Sequence, residues 1–122
     1  MKLHLAAKGD QNQFTAYGDG YVTVNQQRYE RSLVVTPQLI HDAWSVTGID
    51  SISADALNFL LTLTPEILLL GTGATHRFPG PAVMREFARA QIGVESMDTA
   101  AACRTFNILM AEGRNVIAAI IV

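Results

Sequence analysis

Glu66-Ile67-Leu68-Leu69-Leu70-Gly71-Thr72-Gly73-Ala74-Thr75-His76-Arg77-Phe78-Pro79-Gly80-Pro81 is the stretch on which the fold turns. Ile67 to Leu70 is an unbroken apolar run with a charge on one side and glycines on the other, the pattern of a strand buried on both faces of a sheet. A loop beginning at Gly71 then leaves the carboxyl end of a central strand, where ligands of open α/β sheets gather.

Working outward, the second half of the chain has helical period. Ser53 is placed to cap a helix from Ala54 to Leu63 that presents Ala56, Leu57, Leu60 and Leu61 to a core and ends before Pro65. Pro81 suits the first turn of a second helix, with Val83, Met84, Phe87 and Ala90 as its apolar stripe and Gly93 as its end. A short strand, Val94 to Met97, leads to Asp98. Its carboxylate caps a third helix from Thr99 to Glu112 that is closed by Gly113, and Val116 onward forms a last strand. Strand, helix, strand, helix, strand predicts two right-handed crossovers and a parallel three-strand core.

The first half reads as β. Leu3 and Leu5 alternate with Lys2 and His4, and Phe14 and Tyr17 lead to a turn at Gly18-Asp19-Gly20. Tyr21 to Val24 and Gln27 to Tyr29 form a hairpin about Asn25-Gln26. Ser32 to Thr36 gives a further strand, and Ala43 to Val46, with the only tryptophan, a last one. These are expected to make one small antiparallel meander.

Composition limits function. With 122 residues, 49% hydrophobic and 16% charged, the chain is expected to fold as a single domain, 1–122, rich in core. A net charge of -2 with nine basic residues and no basic cluster argues against nucleic acid as a partner. Cys103 has no internal disulfide partner, which fits a reducing compartment. The longest apolar run, Val116 to Val122, falls far short of the roughly 20 residues of a membrane span. No signal segment precedes the first alternating stretch, so the chain is expected in the cytoplasm.

The glycine loop invites a nucleotide reading and departs from it. His76 stands where the dinucleotide fingerprint needs its third glycine, no Gly-Lys-Ser or Gly-Lys-Thr closes a phosphate loop, and the next helix begins too far on. Gly71 and Gly73 are more simply explained by positive φ or close backbone packing. Thr72, Thr75, His76 and Arg77 still offer donors for an anion. Cys103 lies mid-helix with no histidine beside it, as a buried structural thiol does. His4, His41 and His76 lack metal-site spacing. Trp44 reads as core, with an interface edge as the alternative. Arg104 and Asn107 share one face of the alanine-rich helix. Arg104 is read as packing its stem toward the sheet and reaching loop carbonyls, with an anion or partner contact as the alternative.

Gly71-Thr72-Gly73 after an apolar strand, Met97-Asp98-Thr99, Arg104-Thr105-Phe106-Asn107 and Glu112-Gly113-Arg114 before a final apolar strand together resemble the Mth938-like domain family of unknown function. That family includes the mitochondrial complex I assembly factor three and the adipogenesis-associated Mth938 domain-containing protein. The resemblance runs essentially the whole chain. It implies an α/β fold, with a mixed central sheet, packed helices and an additional N-terminal antiparallel β element, and no established catalysis. The expected function is a non-catalytic, protein-binding or assembly-factor-like one with an unknown protein partner. The alternative is a small-molecule or anion-binding protein, or an enzyme, using the loop Gly71–Phe78 with Arg104. The residues assigned to ligand or partner binding are Gly71, Thr72, Gly73, Thr75, His76, Arg77, Arg104 and Asn107. No catalytic residue, metal ligand or cofactor is assigned.

Overall fold

The computed structural model describes residues 11–122, so the alternation of Lys2 to Leu5 lies outside the described residues. Strands β1 (Phe14–Gly18), β2 (Tyr21–Val24) and β3 (Gln27–Tyr29) form a small antiparallel sheet in that order. Strands β4 (Leu33–Val35), β5 (Ile40–His41), β6 (Ile67–Thr72), β7 (Gly93–Met97) and β8 (Val116–Ile121) form a second sheet in the order β5-β4-β8-β6-β7. Helices α1 (Ala54–Thr62), α2 (Pro81–Arg89) and α3 (Thr99–Ala111) complete the chain. The fold is the mixed α/β one expected, with the extra antiparallel β element on its N-terminal side.

The apolar runs of β6 and β8 are continuous because these strands have a core on each face. Leu69, Ala118 and Ile120 turn toward α3, where they meet Phe106, Cys103 and Met110 together with Phe14, Val22 and Val24 of the small sheet. Leu68, Leu70, Ile117 and Ala119 turn the other way, toward Ala56, Leu60, Trp44 and Phe87. Successive side chains of a strand point to opposite faces, so each residue of the run has its own apolar partners. A polar residue at any of these positions would lose them.

The cores fix the helices. Ser53 accepts the Ala56 N–H at its side chain, and Asp98 accepts that of Ala101; each cap satisfies one of the amides that a helix start leaves over. Pro81 opens α2, as read from sequence. Parallel pairing joins β6 to both β7 and β8. The chain crosses from β6 to β7 over the face of α2 and returns to β8 over the face of α3, so both crossovers have the same hand.

Four expectations need correction. Strands β4 and β5 belong to the large sheet, because β4 pairs with β8 through Leu33↔Ile120, Val34↔Ala119 and Val35↔Ala118, and the N-terminal half is therefore not one meander. Residues 43–46 are irregular, since Trp44 is placed by packing and by an indole N–H donated to the Ala56 carbonyl at 3.3 Å. Strand β6 runs through Gly71 and Thr72, so the loop begins at Gly73. Helix α2 ends at Arg89, and Gln91 takes a positive φ of 59° before β7; Phe87 alone of its stripe is buried, while Met84 and Ala90 are exposed. No described helix is long and apolar enough to cross a membrane.

Candidate functional site

The carboxyl ends of the three parallel strands meet around Thr99, the first residue of α3. Its backbone N–H donates to the Gly73 carbonyl at 2.9 Å, and its hydroxyl accepts the Gly73 N–H at 2.9 Å. The same hydroxyl donates to the Ile121 carbonyl at 2.6 Å. One threonine thereby ties the end of β6 to the end of β8 and to the start of the helix. The two glycines there have different causes. A side-chain carbon at Gly71 would meet Ile120 Cδ1 at 2.9 Å and Thr99 Oγ1 at 3.1 Å, whereas Gly73 has open space and a φ of +97°. Gly71 permits close packing, and Gly73 the turn.

Above these strand ends lies a pocket of about 430 Å³. The end of β1 supplies Tyr17, the turn after it Asp19, the loop after β6 Gly73 and Ala74, the α3 start Asp98, and β8 ends in it at Ile121. The small sheet reaches this place because α3 holds it: Asn107 accepts the Phe14 N–H at 2.9 Å and donates to the Phe14 carbonyl at 2.8 Å. The Asn107 side chain thus serves β1 as a neighbouring strand would. Arg104, one turn back and exposed, donates to the Tyr17 hydroxyl at 2.9 Å with its guanidinium carbon 5.7 Å from the ring centre. That hydrogen bond raises the Arg104 pKa above its ordinary value. The reach to loop carbonyls expected from sequence is replaced by this contact.

The remaining loop residues point elsewhere. Thr72 is buried, and its hydroxyl donates to the Thr75 carbonyl at 2.7 Å, lies 3.2 Å from the Met97 carbonyl and accepts the Arg77 N–H at 3.0 Å. Thr75 takes part through that carbonyl. His76 Nε2 lies 3.2 Å from the Ser96 hydroxyl on β7, and Arg77 pairs with Asp50 at 2.7 Å. Held in this way, the loop presents Phe78, its ring centre 4.5 Å from that of His76 with the planes tilted by 48°, and 74% exposed. Of the residues read from sequence, Gly73 lines the pocket, Arg104 stands behind its Tyr17 wall, Asn107 anchors the sheet bearing that wall, and His76 and Arg77 lie on a separate surface with Phe78.

Tyr17, Asp19 and Ile121, which line the pocket, were not among the residues assigned from sequence, and Phe78 entered only as the end of the loop Gly71–Phe78. Their sequence signal was present only as a turn, an apolar strand end and an aromatic between charged and cyclic residues. Cys103 is fully buried, and burial pushes its thiol up to about 12, which makes it a poor nucleophile.

The family described as "Protein of unknown function (DUF498/DUF598)" matches residues 14–121. A solution structure of a Bordetella pertussis protein, described as a Mth938-like domain, is 36% identical with a TM-score of 0.78, covering 94% of this chain and 86% of its own. The Francisella tularensis "13 kDa major membrane protein" is 32% identical over 84% of this chain and 85% of its own length. The zebrafish, Danio rerio, NADH dehydrogenase (ubiquinone) 1 alpha subcomplex assembly factor 3 is 38% identical over 72% of this chain. The chain spans about half of that relative's length, 51%. A family match of this extent settles membership: the chain belongs to this Mth938-like family.

Proposed function

Taking membership of the DUF498/DUF598 family as the premise, we propose that the chain acts as one domain, 1–122, that binds another protein in the manner of an assembly factor. The observation that carries this reading is Phe78, an aromatic ring 74% exposed on a loop held by the Thr72 hydroxyl and by Arg77–Asp50. Large aromatic side chains on rigid supports dominate the energetics of protein interfaces, because they bury much area and lose little freedom. The similarity to a complex I assembly factor supports a protein partner without naming it. A reducing compartment such as the cytoplasm suits the buried Cys103 thiol.

Affinity purification of tagged protein from cells that naturally make it, with mass spectrometry, tests the reading. Wild type is expected to retain a partner in stoichiometric amount and Phe78→Ser to lose it. Equal recovery with both would remove Phe78 from the interface.

A second reading rests on the pocket of about 430 Å³ at the strand ends. A small molecule bound there would sit where open α/β sheets place their ligands. Saturable stabilisation by a metabolite, with no persistent protein partner, favours it.

A further inference from the structure

We propose that the free edge of β7 receives an extended segment of another protein as a sixth strand, one that carries a lysine or arginine opposite Glu95. The inference rests on the protein-binding reading above and deepens it, naming the backbone surface beside Phe78 and the chemistry of the segment that fits it. Strand β7 ends the large sheet. Parallel pairing with β6 uses one side of it, from Ile67↔Gly93 to Gly71↔Met97. Among the described residues, no backbone group of residues 93–96 has a hydrogen-bond partner beyond that pairing. The outward backbone groups form a row of donors and acceptors, and another strand is what satisfies such a row. At the opposite end of the sheet β5 offers two residues, against five here.

Both faces of the sheet carry apolar side chains beside this edge. On the α2 side Val94 packs against the core, and the Ser96 hydroxyl lies 3.2 Å from His76 Nε2, which sets His76 and the neighbouring Phe78 ring next to the strand. On the α3 side Met97 packs against the other core, its Sδ 3.6 Å from the Thr105 hydroxyl. Ile108, three residues further along that side of α3, is exposed. A strand added to β7 turns alternate side chains to the two faces, so its apolar residues meet Phe78 on one and Ile108 on the other.

Glu95 selects the occupant. It lies at the middle of β7, is exposed, and forms no ion pair among the described residues. Two copies of β7 aligned antiparallel over the whole strand would set Glu95 directly opposite Glu95, where like charges repel. A basic side chain on a foreign strand is attracted there instead. The described chain enters at the far edge: Asn12 donates its side-chain N–H groups to the Thr36 and Leu39 carbonyls at 2.9 and 3.1 Å, beside β4 and β5. That edge is four strand spacings, about 19 Å, from β7.

The test titrates the ¹⁵N-labelled full chain with two synthetic peptides, acetyl-Thr-Val-Thr-Lys-Thr-Val-Thr-amide and the same sequence with Glu in place of Lys. The lysine peptide is expected to shift the amides of residues 93–97 saturably at millimolar concentration and to slow their hydrogen exchange. The glutamate peptide should bind about fivefold more weakly. Glu95→Lys, a change at an exposed position, should keep the fold and reverse the preference. Equal binding of the two peptides, or a preference unmoved by Glu95→Lys, would overturn the basic segment as occupant. Shifts confined to residues away from 93–97, or none, would overturn the edge itself. Slow exchange of every amide from 93 to 97 before peptide is added would also overturn it, by showing the edge already covered by residues 1–10 or by a second copy. The Phe78 reading is decided separately: a partner lost from Phe78→Ser with a silent β7 leaves that reading standing without the edge, and peptide binding at β7 with equal partner recovery from Phe78→Ser leaves the edge without Phe78.

Discussion

Gly73 and Thr99 exchange two hydrogen bonds, N–H to hydroxyl and N–H to carbonyl, each of 2.9 Å. The pairing closes the gap between the loop after β6 and the first turn of α3, and it fixes one wall of the pocket. Thr99→Val preserves shape and removes the hydroxyl, leaving the Gly73 N–H and the Ile121 carbonyl without their partner. The expected loss is about 2 to 6 kcal/mol, from roughly 1 to 3 kcal/mol for each of the two stranded groups. Urea denaturation checks this; an unchanged midpoint would show that water replaces the hydroxyl.

At Gly73 the backbone itself is the constraint, since a φ of +97° coincides with open space around the missing side chain. Gly73→Val is expected to cost about 1 to 3 kcal/mol with no ligand present. Thermal unfolding of the unliganded variant measures it, and a melting temperature equal to wild type would contradict the left-handed conformation.

Arg104 separates support of the fold from support of the pocket. Its guanidinium is exposed and holds Tyr17 alone, so Arg104→Met should leave the melting temperature unchanged while shifting the amides of the turn 18–20. A large fall in melting temperature would mean that the side chain supports the fold, as the sequence reading, with its stem packed toward the sheet, had it. Unchanged turn amides would show that the Tyr17 contact is absent in solution.

Cys103 gives stability a dependence on pH. Its folded thiol is raised from 9.0 to about 12 by burial. A group raised on folding contributes its stability in full below the unfolded value and loses it as pH climbs toward the folded one. Stability should therefore fall between about pH 9 and about pH 12, and fall less in Cys103→Ala when each is measured against its own value at pH 8. Parallel pH curves for the two proteins would contradict this assignment.

Much of the fold was legible because its signals are local. Ser53, Asp98, Pro81 and Gly113 mark helix ends by their own chemistry, and each stands where expected. Asn25 and Gln26 both take positive φ in the two-residue hairpin turn, as the loop length between β2 and β3 required. Strand β4 was misplaced because its partner, β8, lies far along the chain. The clue was that Leu33, Val34 and Val35 are all apolar, which marks a strand covered on both faces rather than one in an open meander. The site was less legible for the same reason. Thr72 to Arg77 are adjacent in sequence, yet the hydroxyl of Thr72 turns inward while His76 and Arg77 reach β7 and Asp50. Tyr17 and Asp19 come to the pocket only because Asn107 draws β1 onto α3.

The proposed protein contact is tested most directly by photocrosslinking in living cells, with p-benzoylphenylalanine placed at position 78 and, as control, at the exposed Gln27 on β3. The account predicts one discrete protein adduct from position 78, absent from position 27 and diminished when untagged wild type is overproduced as competitor. Identical adducts from both positions, or none from position 78 in cells where the protein is abundant, would contradict it.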